Sequence, residues 1–175
     1  WTNGTALTNA VFTHGSCGAS KTAVLICGGQ NSSFTAQTAA FTYNGTTWSS
    51  TGSLTATRYG HVAVGTTSSA LALGGYTTNY ASSIESFNGS TWSTGTAMST
   101  ARYQLGGSGT SNTAALAVAG YLSNSVPAVN TAVVESYNGT SWTSAPSVNT
   151  ARRVGAGAGT QTSGLFFGGY GPNTS

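Results

Sequence analysis

The sequence predicts an all-β fold made of tandem four-stranded antiparallel units, and three recurring features predict it. An aromatic residue followed by Asn-Gly-Ser/Thr-x-Trp occurs three times, ending at Trp48, Trp92 and Trp142. With Trp1, the four tryptophans are 47, 44 and 50 residues apart. Short apolar runs ending in small residues recur between them, at residues 24–29, 70–75, 114–120 and 164–169. Self-similarity at such a period is typical of repeat architectures.

Each unit divides into four strands, named a to d in chain order. Strand a follows an arginine, and a Gly-Thr pair near residues 65, 109 and 159 predicts the turn into strand b, which is the apolar run. A variable loop rich in Ser, Thr and Asn leads to strand c. The Asn-Gly pair then predicts a tight type I′ turn into the tryptophan-bearing strand d. The units span approximately residues 1–48, 49–92, 93–142 and 143–175, and the last is partial because it lacks strands c and d.

Four-stranded units of this length are typical of β-propeller blades, which assemble into rings of about four to eight. The units resemble the Kelch repeat. The resemblance covers essentially the whole chain and rests on the aromatic residue before Asn-Gly, the strand-d tryptophan, His61, and a Gly-Gly pair closing strand b at 28/29, 74/75 and 168/169. Ala119-Gly120 is a departure from that pair. The resemblance to the Kelch repeat implies one propeller domain, or a segment of a larger one, over residues 1–175. It implies no particular function, because proteins with this scaffold have many functions.

Composition restricts the function classes. Five Lys and Arg and two acidic residues give a net charge of +3, and charged residues are only 4% of the 175 residues, against about 25% in an ordinary soluble domain. The scattered basic residues do not form the dense stripe that nucleic acid requires. No apolar stretch is long enough to predict membrane insertion. There is no Asp, which excludes WD40 repeats and the Asp boxes of sialidase-like propellers.

The same residues argue against an enzyme. The only carboxylates, Glu85 and Glu135, lie at equivalent positions of different units, so they do not predict a catalytic pair. The Tyr, Cys and His constellation of copper-radical oxidases, whose blades are similar, does not map onto this chain. His14 and His61 have only Cys17 and Cys27 as further candidate ligands, so we expect no metal site and no cofactor. A cross-strand Cys17–Cys27 disulfide and two small buried thiols both remain open.

The charged residues instead predict a structural pairing. Aligned on Gly-Gly, the units place Arg58, Arg102 and Arg152 at one position and Glu85 and Glu135 at another. The first unit has Phe12 and Phe41 there, so the arginine and the glutamate are lost together. We therefore expect each arginine to meet its glutamate in a buried or half-buried bidentate pair, within a blade or between neighbours. The tryptophans Trp48, Trp92 and Trp142 are expected to pack within the blades.

A binding surface is predicted from the loops. Tyr76, Tyr121 and Tyr170 directly follow the end of strand b and are expected on one face with the residues after each tryptophan. Aromatic rings among hydroxyls and amides suit stacking on sugars or packing against a neutral protein, and ordinary solvated loops are the alternative. Six N-glycosylation sequons also occur, at Asn3, Asn31, Asn44, Asn88, Asn138 and Asn173. Turn geometry already explains the asparagines at 44, 88 and 138.

The near-repeating Ser/Thr/Gly-rich units, such as residues 149–152, 157–162 and 166–169, are similar to Kelch-like repeat arrays of tailed, especially marine, phages. That resemblance implies a non-enzymatic module of a virion appendage or tail fibre. Its neutral propeller face would attach to a host-surface glycan or protein, at the virion surface or outside the cell. The alternative is a secreted bacterial lectin or adhesin propeller, and a cytoplasmic Kelch adaptor is a weaker third. In the first two cases we expect the chain to belong to a longer polypeptide or to close by assembling with virion or self subunits.

Overall fold

The computed structural model describes residues 5–7, 9–122 and 129–171, and these residues form strands and loops only. The strands make four antiparallel sheets in chain order, which we call blades 1 to 4. Blade 1 contains β1 (Gly15–Ser20), β2 (Ala23–Cys27), β3 (Ala40–Tyr43) and β4 (Trp48–Thr51). Blade 2 contains β5 (Val62–Gly65), β6 (Ala70–Leu73), β7 (Ile84–Phe87) and β8 (Trp92–Thr94). Blade 3 contains β9 (Arg102–Tyr103), β10 (Gly106–Ser111), β11 (Ala114–Leu122), β12 (Asn130–Tyr137) and β13 (Trp142–Ala145). Blade 4 contains β14 (Arg153–Gly159) and β15 (Gly164–Tyr170).

The predicted order of strands a, b, c and d is present in blades 1 to 3, where each strand pairs with the next. The predicted unit boundaries at Trp48, Trp92 and Trp142 need adjustment, because each tryptophan begins strand d instead of ending the blade. Each ring packs on the aromatic residue directly opposite in strand c, with centroids 4.8–5.0 Å apart. The tryptophans therefore hold strands c and d together within a blade, as expected. No described residue belongs to a helix that could cross a membrane.

The Asn-Gly hairpins differ from the prediction of a two-residue type I′ turn. Tyr43 pairs with Trp48, which leaves a four-residue loop, and only Gly45 within it has a positive φ, of 96°. The side-chain oxygen of Asn44 accepts hydrogen bonds of 2.9 Å from the amides of Thr46 and Thr47. The asparagine thus closes the loop through its side chain, so it does not need the left-handed conformation. The loops at 88 and 138 repeat this arrangement.

The blades are arranged side by side through their first strands, with β1 next to β5, β5 next to β10, and β10 next to β14. One residue close to the start of each first strand links the blades through the backbone. Gly60 donates its amide to the carbonyl of Thr13 (2.7 Å), Gln104 donates to Gly60 (2.7 Å), and Val154 donates to Gln104 (2.9 Å). All four have φ between 53° and 60°. The same left-handed backbone link is therefore repeated between each pair of successive blades.

The core lies between the faces of neighbouring blades. Leu25 of blade 1 packs with Phe87 and Trp92 of blade 2, and Leu71 and Leu73 of blade 2 pack with Tyr137 of blade 3. The first strands are rich in glycine and alanine because they approach each other closely near the axis. A Cβ on Gly157 of blade 4, for example, would overlap the backbone of Gly107 in blade 3. The small residues of the repeat are therefore required by the blade spacing.

The predicted arginine and glutamate partners meet inside blades 2 and 3. Arg58 Nη2 lies 3.1 Å from Glu85 Oε1, and Arg102 Nη2 lies 2.6 Å from Glu135 Oε1, with all four side chains buried. Bidentate pairs were expected, but only Nη2 of each arginine contacts the carboxylate. The Nη1 of each guanidinium donates to backbone carbonyls instead. Arg58 Nη1 donates to the carbonyls of Gly74 (2.8 Å) and Ser83 (3.1 Å). Each arginine therefore joins strands b and c of its blade.

The sequence alignment that placed Phe12 at the arginine position of the first unit is wrong by one residue. The backbone bridge between Phe12 and Gln30 is equivalent to the bridge between Tyr59 and Tyr76, which places Val11, and not Phe12, at the arginine position. The cause is a hairpin between β1 and β2 that is one residue longer than the hairpin between β5 and β6. Phe41 does lie at the glutamate position, and it lines one cavity together with Val11. Phe12 packs edge-on against Phe34.

Candidate functional site

Aromatic residues collect at one end of the blades, where strand a begins and strand b ends. In each blade the residue after the arginine position is bridged to the residue after the two small residues near the end of strand b. These pairs are Phe12 with Gln30, Tyr59 with Tyr76, Tyr103 with Tyr121, and Arg153 with Tyr170. The backbone therefore carries two side chains per blade to the same end of the molecule.

The tyrosines of blades 2 and 3 form a continuous network. Tyr80, from the loop after β6, stacks on Tyr103 with centroids 5.5 Å apart and an interplanar angle of 9°, and meets Tyr121 edge-on at 6.1 Å. Tyr59 and Tyr76 lie 5.2 Å apart, and both contact Tyr103. The rings are half-buried, so each keeps part of its surface exposed to solvent. We call this network, together with Arg153 and Tyr170, the tyrosine face.

Arg153 extends the tyrosine face into blade 4. Its guanidinium carbon lies 4.4 Å from the centroid of Tyr121 and 4.8 Å from that of Tyr170, so two rings hold the cation. Its Nη1 donates to the side-chain oxygen of Asn130 (3.1 Å), whose amide nitrogen donates to the Tyr170 carbonyl (3.1 Å). The face therefore presents one positioned positive charge beside neutral phenols.

The phenols of Tyr59 and Tyr103 stay protonated at neutral pH. Burial raises the pKa of Tyr59, and the neighbouring Tyr76 and Tyr80 raise it further. Burial also raises the pKa of Tyr103, with further contributions from Tyr59 and Tyr80 that exceed the opposing effect of Arg153. The hydroxyls are therefore neutral groups that can both donate and accept hydrogen bonds.

A cavity of about 250 Å³ opens at the foot of the tyrosine face, near the axis of the blades. It is lined by the left-handed residues and the residues that follow them, including His14 and His61. Burial lowers the pKa of His61 to about 3, and Arg58 and His14 lower it as well. His61 Nε2 lies 3.5 Å from the Cys27 thiol. Within the described ranges no three His, Cys, Asp or Glu side chains are placed to hold a metal ion.

The face contains the three tyrosines predicted from sequence. Tyr76, Tyr121 and Tyr170 lie at the same end of the molecule, but their closest partners are side chains that the sequence analysis did not select. Tyr59, Tyr103 and Arg153 could have been found from the residue that follows each arginine, since that position repeats with the unit. Tyr80 lies in a variable loop and left no periodic signal.

The remaining candidate residues have structural surroundings. Cys17 and Cys27 are free thiols here, and burial raises the pKa of both, that of Cys17 to about 12. Of the sequons, the side-chain oxygens of Asn31, Asn44, Asn88 and Asn138 accept hydrogen bonds within their own loops. Asn3 and Asn173 lie outside the described residues, as does Trp1.

Comparison with known proteins supports the fold and is silent on the site. No family model and no curated protein matches the sequence. Among solved structures, one described as "Structure of YjhT" is similar, with a TM-score of 0.76 and 11% sequence identity. The match covers 95% of this chain and 64% of that one, so the chain spans under two thirds of its neighbour's length. At this identity the likeness shows a β-propeller-like all-β fold.

Proposed function

We propose that the chain is a non-enzymatic binding module whose tyrosine face attaches to a glycan on a host surface, as part of a virion appendage or tail fibre. The observation that carries the binding role is the network of five tyrosine rings with Arg153 held at its border. The setting rests on the resemblance to phage repeat arrays. A localisation at the virion surface follows from that setting and belongs to the same proposal.

The chemistry of the face suits sugar rings. Aromatic side chains offer large apolar surfaces on which the C–H faces of a pyranose can stack, and phenol hydroxyls provide donors and acceptors at their edges. The network is held by ring-to-ring contacts, so little conformational entropy is lost when a ligand binds. Arg153 adds directional donors beside the rings.

The groups that could catalyse a reaction are occupied. Glu85 and Glu135 are buried in ion pairs with Arg58 and Arg102. His61, at the cavity below the face, has a pKa so far below neutrality that it is not poised as an acid or base at pH 7. These features favour binding over chemistry.

Glycan-array binding followed by titration with the best glycan tests the binding role. Tyr80→Ala and Tyr121→Ala are each expected to weaken binding at least tenfold. Phe34→Ala removes an exposed ring of blade 1 that lies outside the network, so it should leave binding unchanged. Equal affinity in all three variants, or no glycan bound, would contradict the proposed face.

Mass spectrometry of purified particles tests the setting separately. Peptides of this chain should be found in the particles at the level of other appendage proteins. Their absence from particles, together with secretion of a glycan-binding form, would replace the virion setting with the lectin alternative.

A further inference from the structure

Blades 2 and 3 each enclose a carboxylate in the same set of donors. In blade 2 the second oxygen of Glu85 accepts the Thr55 amide at 2.6 Å. In blade 3 the second oxygen of Glu135 accepts the amide and hydroxyl of Ser99, at 2.8 and 2.7 Å. Thr55 and Ser99 both lie three residues before the blade's arginine. A strand-c glutamate therefore joins the arginine to the segment that enters the blade.

Blade 4 has the same arginine in the same place. Arg152 Nη1 donates to the Gly168 carbonyl at 2.8 Å, as Arg58 Nη1 donates to Gly74 at 2.8 Å. Arg58 and Arg102 are buried, whereas Arg152 is only half-buried. The sequence has two acidic side chains, and both are paired inside blades 2 and 3. No side-chain carboxylate of this chain is thus left for Arg152.

A cavity lies where the missing carboxylate would be. It has a volume of about 290 Å³ and is lined by Val148, Asn149, Thr150, Arg152 and Phe166. Asn149 lies three residues before Arg152, which makes it the equivalent of Thr55 and Ser99. Phe166 takes the place of the small Ala72 and Ala117, but its ring is directed at Gly106 and Gly155, where there is no side chain. The cavity beside Arg152 remains.

The adjoining strand has an open edge. In blades 2 and 3, strand b pairs with strand c, whereas β15 pairs only with β14 among the described residues. Leu165 and Phe167 of β15 are 64% and 49% exposed, while Leu71 and Leu73 at the equivalent positions of β6 are fully buried. The described part of blade 4 therefore offers an unpaired strand, an apolar surface and the Arg152 cation. Residues 148–150 line the cavity beside that cation.

We propose that this edge binds a β-hairpin of the same repeat type, in which a glutamate opposite Phe166 enters the cavity and pairs with Arg152. The hairpin adds as strand c, and its backbone carbonyl two residues before the glutamate accepts from Arg152 as Ser83 does from Arg58. Main-chain pairing gives affinity and the buried ion pair gives register. A second copy of this chain is not the occupant, because both of its glutamates are already enclosed. The occupant is therefore a strand c–d hairpin of a repeat unit whose glutamate has no arginine partner of its own.

The test uses a labelled synthetic peptide with the sequence of residues 130–145, which is the strand c–d hairpin of blade 3. Its affinity for the chain is measured by fluorescence anisotropy, beside a peptide in which the glutamate is glutamine. We expect the glutamate peptide to bind at least tenfold more tightly. With Arg152→Leu that preference should fall below twofold, while Lys21→Leu, which removes a cation from the far end of the molecule, should retain it.

A second format removes the cost of folding the free peptide. The same hairpin is joined after residue 175 by a flexible linker, and the melting temperatures of the glutamate and glutamine forms are compared. The glutamate form should melt higher, and only while Arg152 is present. Equal behaviour of the two forms in both formats, or a preference that survives Arg152→Leu, would overturn the proposal. Self-association of the chain that blocks the edge would overturn it too.

Discussion

Blades 3 and 4 begin with the same arginine, but only blade 3 encloses it. Arg102 is fully buried and bonded to a carboxylate and to the carbonyls of strands b and c. Arg152 donates to one strand-b carbonyl and to the carbonyl of Thr150, has no carboxylate partner among the described residues, and stays half-buried. In the two-stranded hairpin of blade 4 the arginine therefore stays outside the core. It becomes part of the core only when strand c brings a glutamate, and this completes the blade.

The largest effect is expected from breaking the pair in the complete blade. Arg102→Leu leaves Glu135 buried without its cation, which should lower the free energy of unfolding by about 3–5 kcal/mol. Adding Glu135→Leu should recover most of that loss, because no charge is then stranded. Denaturant titration of the four proteins of the cycle measures both.

Arg152→Leu is the matched control in blade 4. The partially exposed cation of Arg152 should contribute no more than about 1 kcal/mol to the free energy of unfolding, so its removal should cost little. Strictly additive losses in the Arg102/Glu135 cycle, or an equal loss from Arg152→Leu, would contradict the comparison.

A second prediction concerns the pH dependence of stability, to which His61 in blade 2 contributes and Leu105 in blade 3 does not. His61 and Leu105 occupy equivalent positions, each adjoining the strand-b glycine pair of the preceding blade. The pKa of His61 is lowered to about 3 in the folded chain, below the value of about 6.5 for an unfolded histidine. The unfolded state therefore gains a proton first as pH falls, and stability should drop from about pH 6.5 towards pH 3 by up to about 1.4 kcal/mol per pH unit.

His61→Leu copies blade 3 and should flatten this dependence. Thermal unfolding of both proteins from pH 7 to pH 3.5 makes the comparison. The same slope in His61→Leu would show that the histidine is not the group responsible.

A smaller effect concerns the left-handed link between blades. Val154 has φ of 58° and is 61% exposed, whereas Gly60 holds the equivalent place in blade 2. A β-branched residue is strained in this region, so Val154→Gly should stabilise the chain by about 0.5–1 kcal/mol. Gly60→Val, whose Cβ would overlap the Tyr103 ring, should destabilise it and disturb the tyrosine face. Calorimetry of both variants would refute the link if the signs were reversed.

The smallest effect is a lack of reactivity in blade 1, which alone carries cysteine. Because burial raises the pKa of Cys17 and Cys27, both thiols should stay protonated and unmodified by a disulfide-exchange reagent at pH 8. Two equivalents should react after unfolding in denaturant. Rapid reaction of the folded chain would mean that blade 1 opens more readily than its packing indicates.

The fold could be predicted because its signals repeat. Three Asn-Gly-Ser/Thr-x-Trp phrases fixed the strand order, and the joint loss of arginine and glutamate in the first unit predicted their contact before any geometry was known. Single-residue register could not be predicted, since the longer first hairpin of blade 1 moves Val11 into the place assigned to Phe12. The face was only partly predicted, because Tyr80 belongs to a loop without a period and the Arg153 sandwich depends on how two blades meet.

Native-state hydrogen exchange of β11 and β15 shows whether strand b is protected only where strand c and the arginine pair enclose it. Both are second strands of their blades, but β11 is enclosed by strand c and the arginine pair, while β15 has an open edge in the part of the chain that the structure describes. We predict that β11 amides exchange only through global unfolding and that β15 amides exchange at least tenfold faster. Equal protection of the two strands would mean that blade 4 is as complete as blade 3, and would contradict the account.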